Sequence, residues 1–149
     1  LEPINTYTGP ILIADDDDDD VMLIQKALAQ HQIPNTAYRV KNGEELIDYL
    51  VHQNGYPPAN APRPGLILLD LNMPKKSGKE ALREIKSHPG LRNIPVIIFT
   101  TSQSDQDIEE SYTMGGNSFI TKPLSYESLV KIIDILKQYW LNTVKIPAT

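Results

Sequence analysis

The chain has no cysteine among its 149 residues. That absence excludes disulfides and thiolate metal sites and fits a reducing, cytoplasmic setting. No apolar stretch approaches membrane-spanning length, so no membrane partner is expected. The opening residues, Leu1-Glu2-Pro3-Ile4-Asn5, lack the basic region and apolar core of a signal peptide. Positive charge is short: the net charge is −5. Nucleic acid is therefore not expected as a direct partner, because binding its backbone wants a basic patch. There is no internal repeat and no sign of a second domain. The length suits one domain with a two-sided core. Residues 1–149 are expected to form that domain, with its core at about 9–142 and short extensions at both ends.

What the chain does have is six consecutive aspartates, Asp15 to Asp20, directly after the apolar run Ile11-Leu12-Ile13-Ala14. Alone, a block of like charge is usually a solvated surface. Here three other apolar runs end in polar groups of a matching kind. Leu66-Ile67-Leu68-Leu69 ends in Asp70, Val96-Ile97-Ile98-Phe99 in Thr100, and Phe119-Ile120-Thr121 in Lys122-Pro123. Two carboxylates about 4 Å apart repel by roughly 4 kcal/mol at an effective dielectric near 20, so clustered strand-end acids call for a cation.

Between the apolar runs the pattern is helical. Val21, Ile24 and Leu28 recur at helical spacing, with Asp19 and Asp20 at the start of that helix, where its dipole favours acids. Tyr38-Arg39-Val40 reads as a short strand, and Leu46, Ile47 and Leu50 as a helix face. A loop rich in Pro, Gly and Asn follows from Asn54 to Gly65. Ser77 and Glu80 form a candidate capping box before Ala81, Leu82 and Ile85. Ser104 to Met114 reads as a helix with a weak apolar face, stopped at Gly115-Gly116. After Ser125, a last helix carries Leu129, Ile132, Ile133, Leu136, Tyr139 and Trp140 at core spacing. Alternating strands and helices predict an α/β fold, a parallel sheet with helices on both faces. Ligands of such sheets sit beyond the strands' carboxyl ends, where all four polar strand ends would meet.

That constellation suits phosphoryl transfer to a carboxylate. Asp70 is the expected acceptor, because it follows the most apolar run. Asp15 and Asp16 suit a metal such as Mg²⁺, which prefers a few carboxylates plus waters. Lys122 suits a phosphoryl oxygen, and Thr100 is the hydroxyl donor. Positioning and electrostatics supply most of the help in this chemistry.

The chain resembles a response-regulator receiver domain over nearly its whole length. The resemblance rests on Ile11-Leu12-Ile13-Ala14-Asp15-Asp16, Leu68-Leu69-Asp70-Leu71-Asn72-Met73-Pro74, Phe99-Thr100 and Lys122-Pro123. It implies a flavodoxin-like five-stranded sheet in the order 2-1-3-4-5. It also implies phosphotransfer from a sensor histidine kinase to Asp70. Mg²⁺ would then be held by the side chains of Asp16 and Asp70 and the backbone carbonyl of Asn72, with Asp15 acting through water. Thr100 and Phe119 would form the switch. Two positions depart from the common pattern: Ser102 stands where Glu or Asn is frequent, and Phe119 keeps the aromatic ring of a Tyr without its phenol.

The long loop around Tyr56-Pro57-Pro58, the stretch Leu71-Asn72-Met73-Pro74-Lys75-Lys76 and the ending Gln138-Tyr139-Trp140-Leu141 are similar to single-domain regulators serving bacterial phytochromes. A phytochrome is therefore the expected kinase. A homodimer through the last helix and tail is also expected, and an enzymatic output is not. Asp17-Asp18-Asp19-Asp20-Val21 also fits the first motif of haloacid-dehalogenase-type phosphatases, with Asp17 as nucleophile. That alternative lacks an acidic motif after the lysine and leaves Asp70 without a role. A calcium loop starting at Asp15 fails because Asp20 replaces its glycine and Lys26 its last acid. A pseudo-receiver that binds partners without phosphorylation would not need all four corners.

Overall fold

A computed structural model describes residues 2–148. Five strands alternate with five α-helices: β1 (Ile11–Ala14), α1 (Asp18–Gln30), β2 (Ala37–Val40), α2 (Gly43–Val51), β3 (Leu66–Leu69), α3 (Gly78–Ser87), β4 (Val96–Thr100), α4 (Asp105–Thr113), β5 (Ser118–Thr121) and α5 (Tyr126–Leu136). Every strand pairing is parallel, and the order is β2-β1-β3-β4-β5. The flavodoxin-like order implied by the resemblance is the order found.

Side chains alternate across the sheet and feed two cores. Leu12, Ile67, Leu69 and Ile98 pack with Leu46 of α2 and Leu82 and Ile85 of α3. Ile11, Ile13, Leu68 and Ile97 pack with Val21 and Ile24 of α1 and Leu129 and Ile133 of α5. β1, β3 and β4 are buried at every residue, as continuous apolar strands covered on both faces must be.

Each helix starts on a side-chain cap: Asp17, Asn42, Ser77, Ser104 and Ser125 all accept from backbone N–H groups of the first turn. Such a cap is worth about 0.5–2 kcal/mol. The capping box of Ser77 and Glu80 is present. Two glycines allow close approach near the strand ends. A Cβ at Gly43 would lie 2.3 Å from the Lys76 carbonyl oxygen, and one at Gly78 would lie 2.2 Å from that of Asp70.

The last helix departs from the expected spacing. After Leu136 it widens into a π-helical turn, Lys137–Leu141. The wider turn moves the inward position from Leu136 to Leu141, which is buried. Tyr139 is consequently 53% exposed rather than part of the core stripe, and Trp140 is only partly buried. The N-terminal segment braces this end: Ile4 N and Asn5 N donate to the Asn142 carbonyl and Tyr7 N to that of Leu141.

Candidate functional site

β1 and β3 are neighbours at the centre of the sheet, where the chain switches from building one side to building the other. The ladder runs one residue past each strand. Asp15 N donates to the Val40 carbonyl (3.1 Å) and Asp70 N to that of Ala14 (2.9 Å). Both carboxylates are therefore fixed side by side at the lip and buried. Asp16 is exposed, yet Asp15, Asp16 and Asp70 each offer an oxygen within 4.8 Å of the other two. Asp17 N donates to Asp15 Oδ1 (2.9 Å) and Asn72 N to Asp70 Oδ1 (3.1 Å), which fixes both carboxylate planes.

Lys122 follows β5, and its N–H donates to the Thr100 carbonyl (2.7 Å). Its ammonium lies 2.8 Å from Asp15 Oδ2, 2.7 Å from Asp20 Oδ2 and 3.0 Å from Asp70 Oδ2. Burial alone would lower the pKa of this ammonium. Hydrogen bonds to Asp15 and Asp20, with the charges of Asp15 and Asp70, outweigh that and hold it above the ordinary lysine value. Burial also holds the Asp15 carboxyl above its ordinary range, although Lys122 pulls it down. Three carboxylates thus face one ammonium, and the exposed Asp16 adds a fourth negative charge beside Asp15 and Asp70. An all-oxygen donor set with surplus negative charge suits a hard divalent cation, and the exposed Asp16 leaves it open to solvent.

The model of the response regulator receiver domain matches residues 11–134. The chain belongs to the receiver family. Response regulator Rcp1 of Synechocystis is 39% identical over 138 residues, covering 93% of this chain and 92% of that protein. The phosphorylated cyanobacterial phytochrome response regulator RcpA superposes with a TM-score of 0.88 at 41% identity, covering 96% of this chain and all (100%) of that one. The Mn²⁺-bound form of Rcp1 superposes with a TM-score of 0.86 at 38% identity, over 95% of this chain and 100% of that one. As a receiver, the chain is a response regulator of two-component signalling. Receiver domains bind a divalent metal at an acidic pocket, and Asp15, Asp16 and Asp70 are the acids here whose oxygens lie close enough to share one ion.

The two expected switch residues lie on neighbouring strands, Thr100 at the end of β4 and Phe119 in β5. Thr100 is fully buried, and its hydroxyl has no hydrogen-bond partner among the described residues. Phe119 pairs with Ile98 across the sheet and is only partly buried. Its backbone N–H donates to the Tyr112 hydroxyl on α4 (3.2 Å).

The aspartate run divides its labour in a way that the sequence conceals. Asp17 caps α1 through Asp19 N and Asp20 N, so its carboxylate is engaged away from the metal trio. Asp18 pairs with Arg39 Nη1 (2.8 Å), which holds its carboxyl below the ordinary range. Arg39 Nε also donates to the Asp15 carbonyl (2.9 Å), tying β2 to the pocket's rim. Asp20 does lie in the first helical turn, but it is more than a helix-start acid, because it reaches Lys122. The spacing from Asp20 to Val21 and Ile24 was the available signal: one turn from the buried face, its side chain lies at the edge of the pocket. The three histidines are the C-caps of α1, α2 and α3.

Proposed function

We propose that this chain takes a phosphoryl group from a phosphohistidine of a sensor kinase onto Asp70, and that the kinase is a phytochrome. The observation that carries the reading is the position of Asp70: at the sheet's switch point, 3.0 Å from Lys122 and beside Asp15 and Asp16. The phytochrome partner is supported by the likeness to RcpA. Asp15, Asp16, Asp70 and the backbone carbonyl of Asn72 would hold Mg²⁺, which supplies positive charge for the phosphoryl oxygens.

An Asp70 oxygen forms a bond to phosphorus as the bond from phosphorus to the kinase's imidazole nitrogen breaks. The bonding pair leaves with that nitrogen. The ring's other nitrogen carries the proton, so neutral imidazole departs. Lys122 neutralises a phosphoryl oxygen, which loosens its hold on Asp15 and Asp20. Thr100 turns its hydroxyl toward another phosphoryl oxygen. A charge-assisted hydrogen bond of this kind contributes about 1.5–3 kcal/mol. Moving a population from 1:99 to 99:1 needs about 5.5 kcal/mol. Thr100 alone is therefore insufficient. Rearrangement at Lys122 and inward packing of Phe119 supply the rest, and they repack the face of α4, β5 and α5.

That face carries apolar surface. Ile135 is 64% exposed, and it lines a groove with Ile120, Tyr139 and Trp140. We take it, with the tail, as a homodimer interface. The domain core at about 9–142 acts in the cytoplasm, and its chemistry is confined to gaining and losing its own phosphoryl group. Phosphotransfer from a labelled phytochrome kinase tests the reading. Wild type gains label in Mg²⁺, and Asp70→Asn remains folded and unlabelled. Label on Asp70→Asn overturns the acceptor, whereas transfer only from kinases of other input classes overturns the partner.

A further inference from the structure

α4 is held weakly by apolar contact. Ser111 is its one buried residue among those described, and the Ser111 hydroxyl has no partner. Its position therefore depends on polar ties, and the most developed of these runs to α3. Lys79 Nζ lies 2.6 Å from Glu110 Oε2 and also pairs with Asp107 Oδ1. Asp107 in turn accepts from the Ser102 hydroxyl, and its N–H donates to Ser104 Oγ (3.0 Å). Ser102 lies two residues past Thr100, and its carbonyl accepts from the Thr121 hydroxyl (3.4 Å). At its other end the tie reaches the acceptor loop: Gly78 N donates to the Leu71 carbonyl (3.0 Å), and the helix start abuts the Asp70 backbone. An unbroken path thus connects Asp70, the first turn of α3, Lys79, Asp107, Ser102 and Thr100.

We infer that Lys79 is a positioning residue for the phosphoryl switch: its ion pairs to Asp107 and Glu110 hold the loop between β4 and α4, and with it Thr100, in the resting arrangement. The inference rests on the reading of Asp70 as acceptor. Thr100 can approach a phosphoryl group only if the loop that follows it moves, and that motion pulls Ser102 and Asp107 against Lys79. The pairs are charged at neutral pH, since Lys79 holds both the Asp107 and the Glu110 carboxyl below the ordinary range, with Ser102 and Gln106 assisting. They are also accessible enough for salt to screen them, with Lys79 and Asp107 each 26% exposed. The resting-to-active balance therefore shifts toward the active state as ionic strength rises, which is opposite to the weakening that salt imposes on anion binding in general.

The test uses beryllium fluoride as the phosphoryl mimic, titrated with Mg²⁺ at low and high NaCl on the full chain. Lys79→Met keeps the aliphatic stem and removes the charge. It is expected to bind the mimic roughly two- to fivefold more tightly than wild type at low salt, the scale of a pair of surface ion pairs. The gap should close at high salt, and Lys79→Arg should restore wild-type behaviour. Asp107→Asn breaks the same tie from the other side and should match Lys79→Met; it decides the matter if Lys79→Met fails to fold. Equal affinity and equal salt slope in wild type and both variants would overturn the inference. If wild type itself shows no Mg²⁺-dependent binding, or if Asp70→Asn binds as well, the acceptor reading has failed instead.

Discussion

Replacing Thr100 by Val is expected to stabilise the resting protein and to disable its switch. The side chain is fully buried at the end of β4, and its hydroxyl has no partner among the described residues. A buried hydroxyl without a hydrogen bond costs about 1–3 kcal/mol. Valine keeps the β-branched shape that the strand prefers, and its methyl replaces the hydroxyl. In a protein of this size each 1 kcal/mol moves Tm by roughly 2–4 °C, so metal-free Thr100→Val should melt about 2–12 °C higher. Differential scanning calorimetry in chelator at neutral pH reads this directly. The second half of the prediction has the opposite sign. With beryllium fluoride and Mg²⁺ bound, the wild-type hydroxyl gains an acceptor and the variant gains none. The ligand-induced rise in Tm should therefore be smaller in Thr100→Val, by the equivalent of about 1.5–3 kcal/mol. A metal-free variant that melts below wild type would refute the reasoning, because it would mean that the resting hydroxyl is already satisfied.

Gly78→Ala should destabilise the fold by about 1–3 kcal/mol in urea, although alanine gains roughly 1 kcal/mol in an ordinary helix. The new Cβ would meet the Asp70 carbonyl oxygen at 2.2 Å and the Leu71 Cα at 2.6 Å. A stabilised variant would contradict the close approach. Mg²⁺ affinity, measured by calorimetric titration, should be full above the Asp15 pKa and fall as pH drops through it. Because burial raises that pKa, the fall begins above the ordinary value of 3.8, and protonation of Asp15 alone should add stability to the metal-free protein. Affinity that holds constant to below 3.8 would contradict the burial argument. Ile135→Lys should convert a sedimenting dimer to monomer without altering phosphorylation. Wild type sedimenting as monomer in both phosphorylation states would remove the proposed interface.

Asp15, Asp70, Thr100 and Lys122 were legible as candidates in the sequence because each closes an apolar run. A buried strand must end somewhere, and its first polar residue marks the lip of the sheet. Ser77 with Glu80 was legible for a similar reason, since a cap acts within one turn. The ion-pair partners of Asp18 and Asp20 were not legible, because they come from distant strands. Only the arrival of Arg39 and Lys122 from distant strands separates Asp18 from Asp20. The π-helical turn after Leu136 was hidden as well: Tyr139 and Trp140 continue an α-helical spacing, and the widening appears only where the N-terminal segment takes up the carbonyls of Leu141 and Asn142. The tie from Lys79 to α4 crosses 31 residues of sequence, beyond the reach of any local pattern.

Chemical mapping of the phosphorylated carboxylate tests the central claim most directly. The protein is treated with a small acyl phosphate and Mg²⁺, reduced with borohydride, digested and read by mass spectrometry. An aspartyl phosphate is reduced to homoserine, so position 70 should carry homoserine, only when the divalent cation was present and never in Asp70→Asn. Homoserine at Asp17 or at another acid of the run, with Asp70 unchanged, would contradict the account.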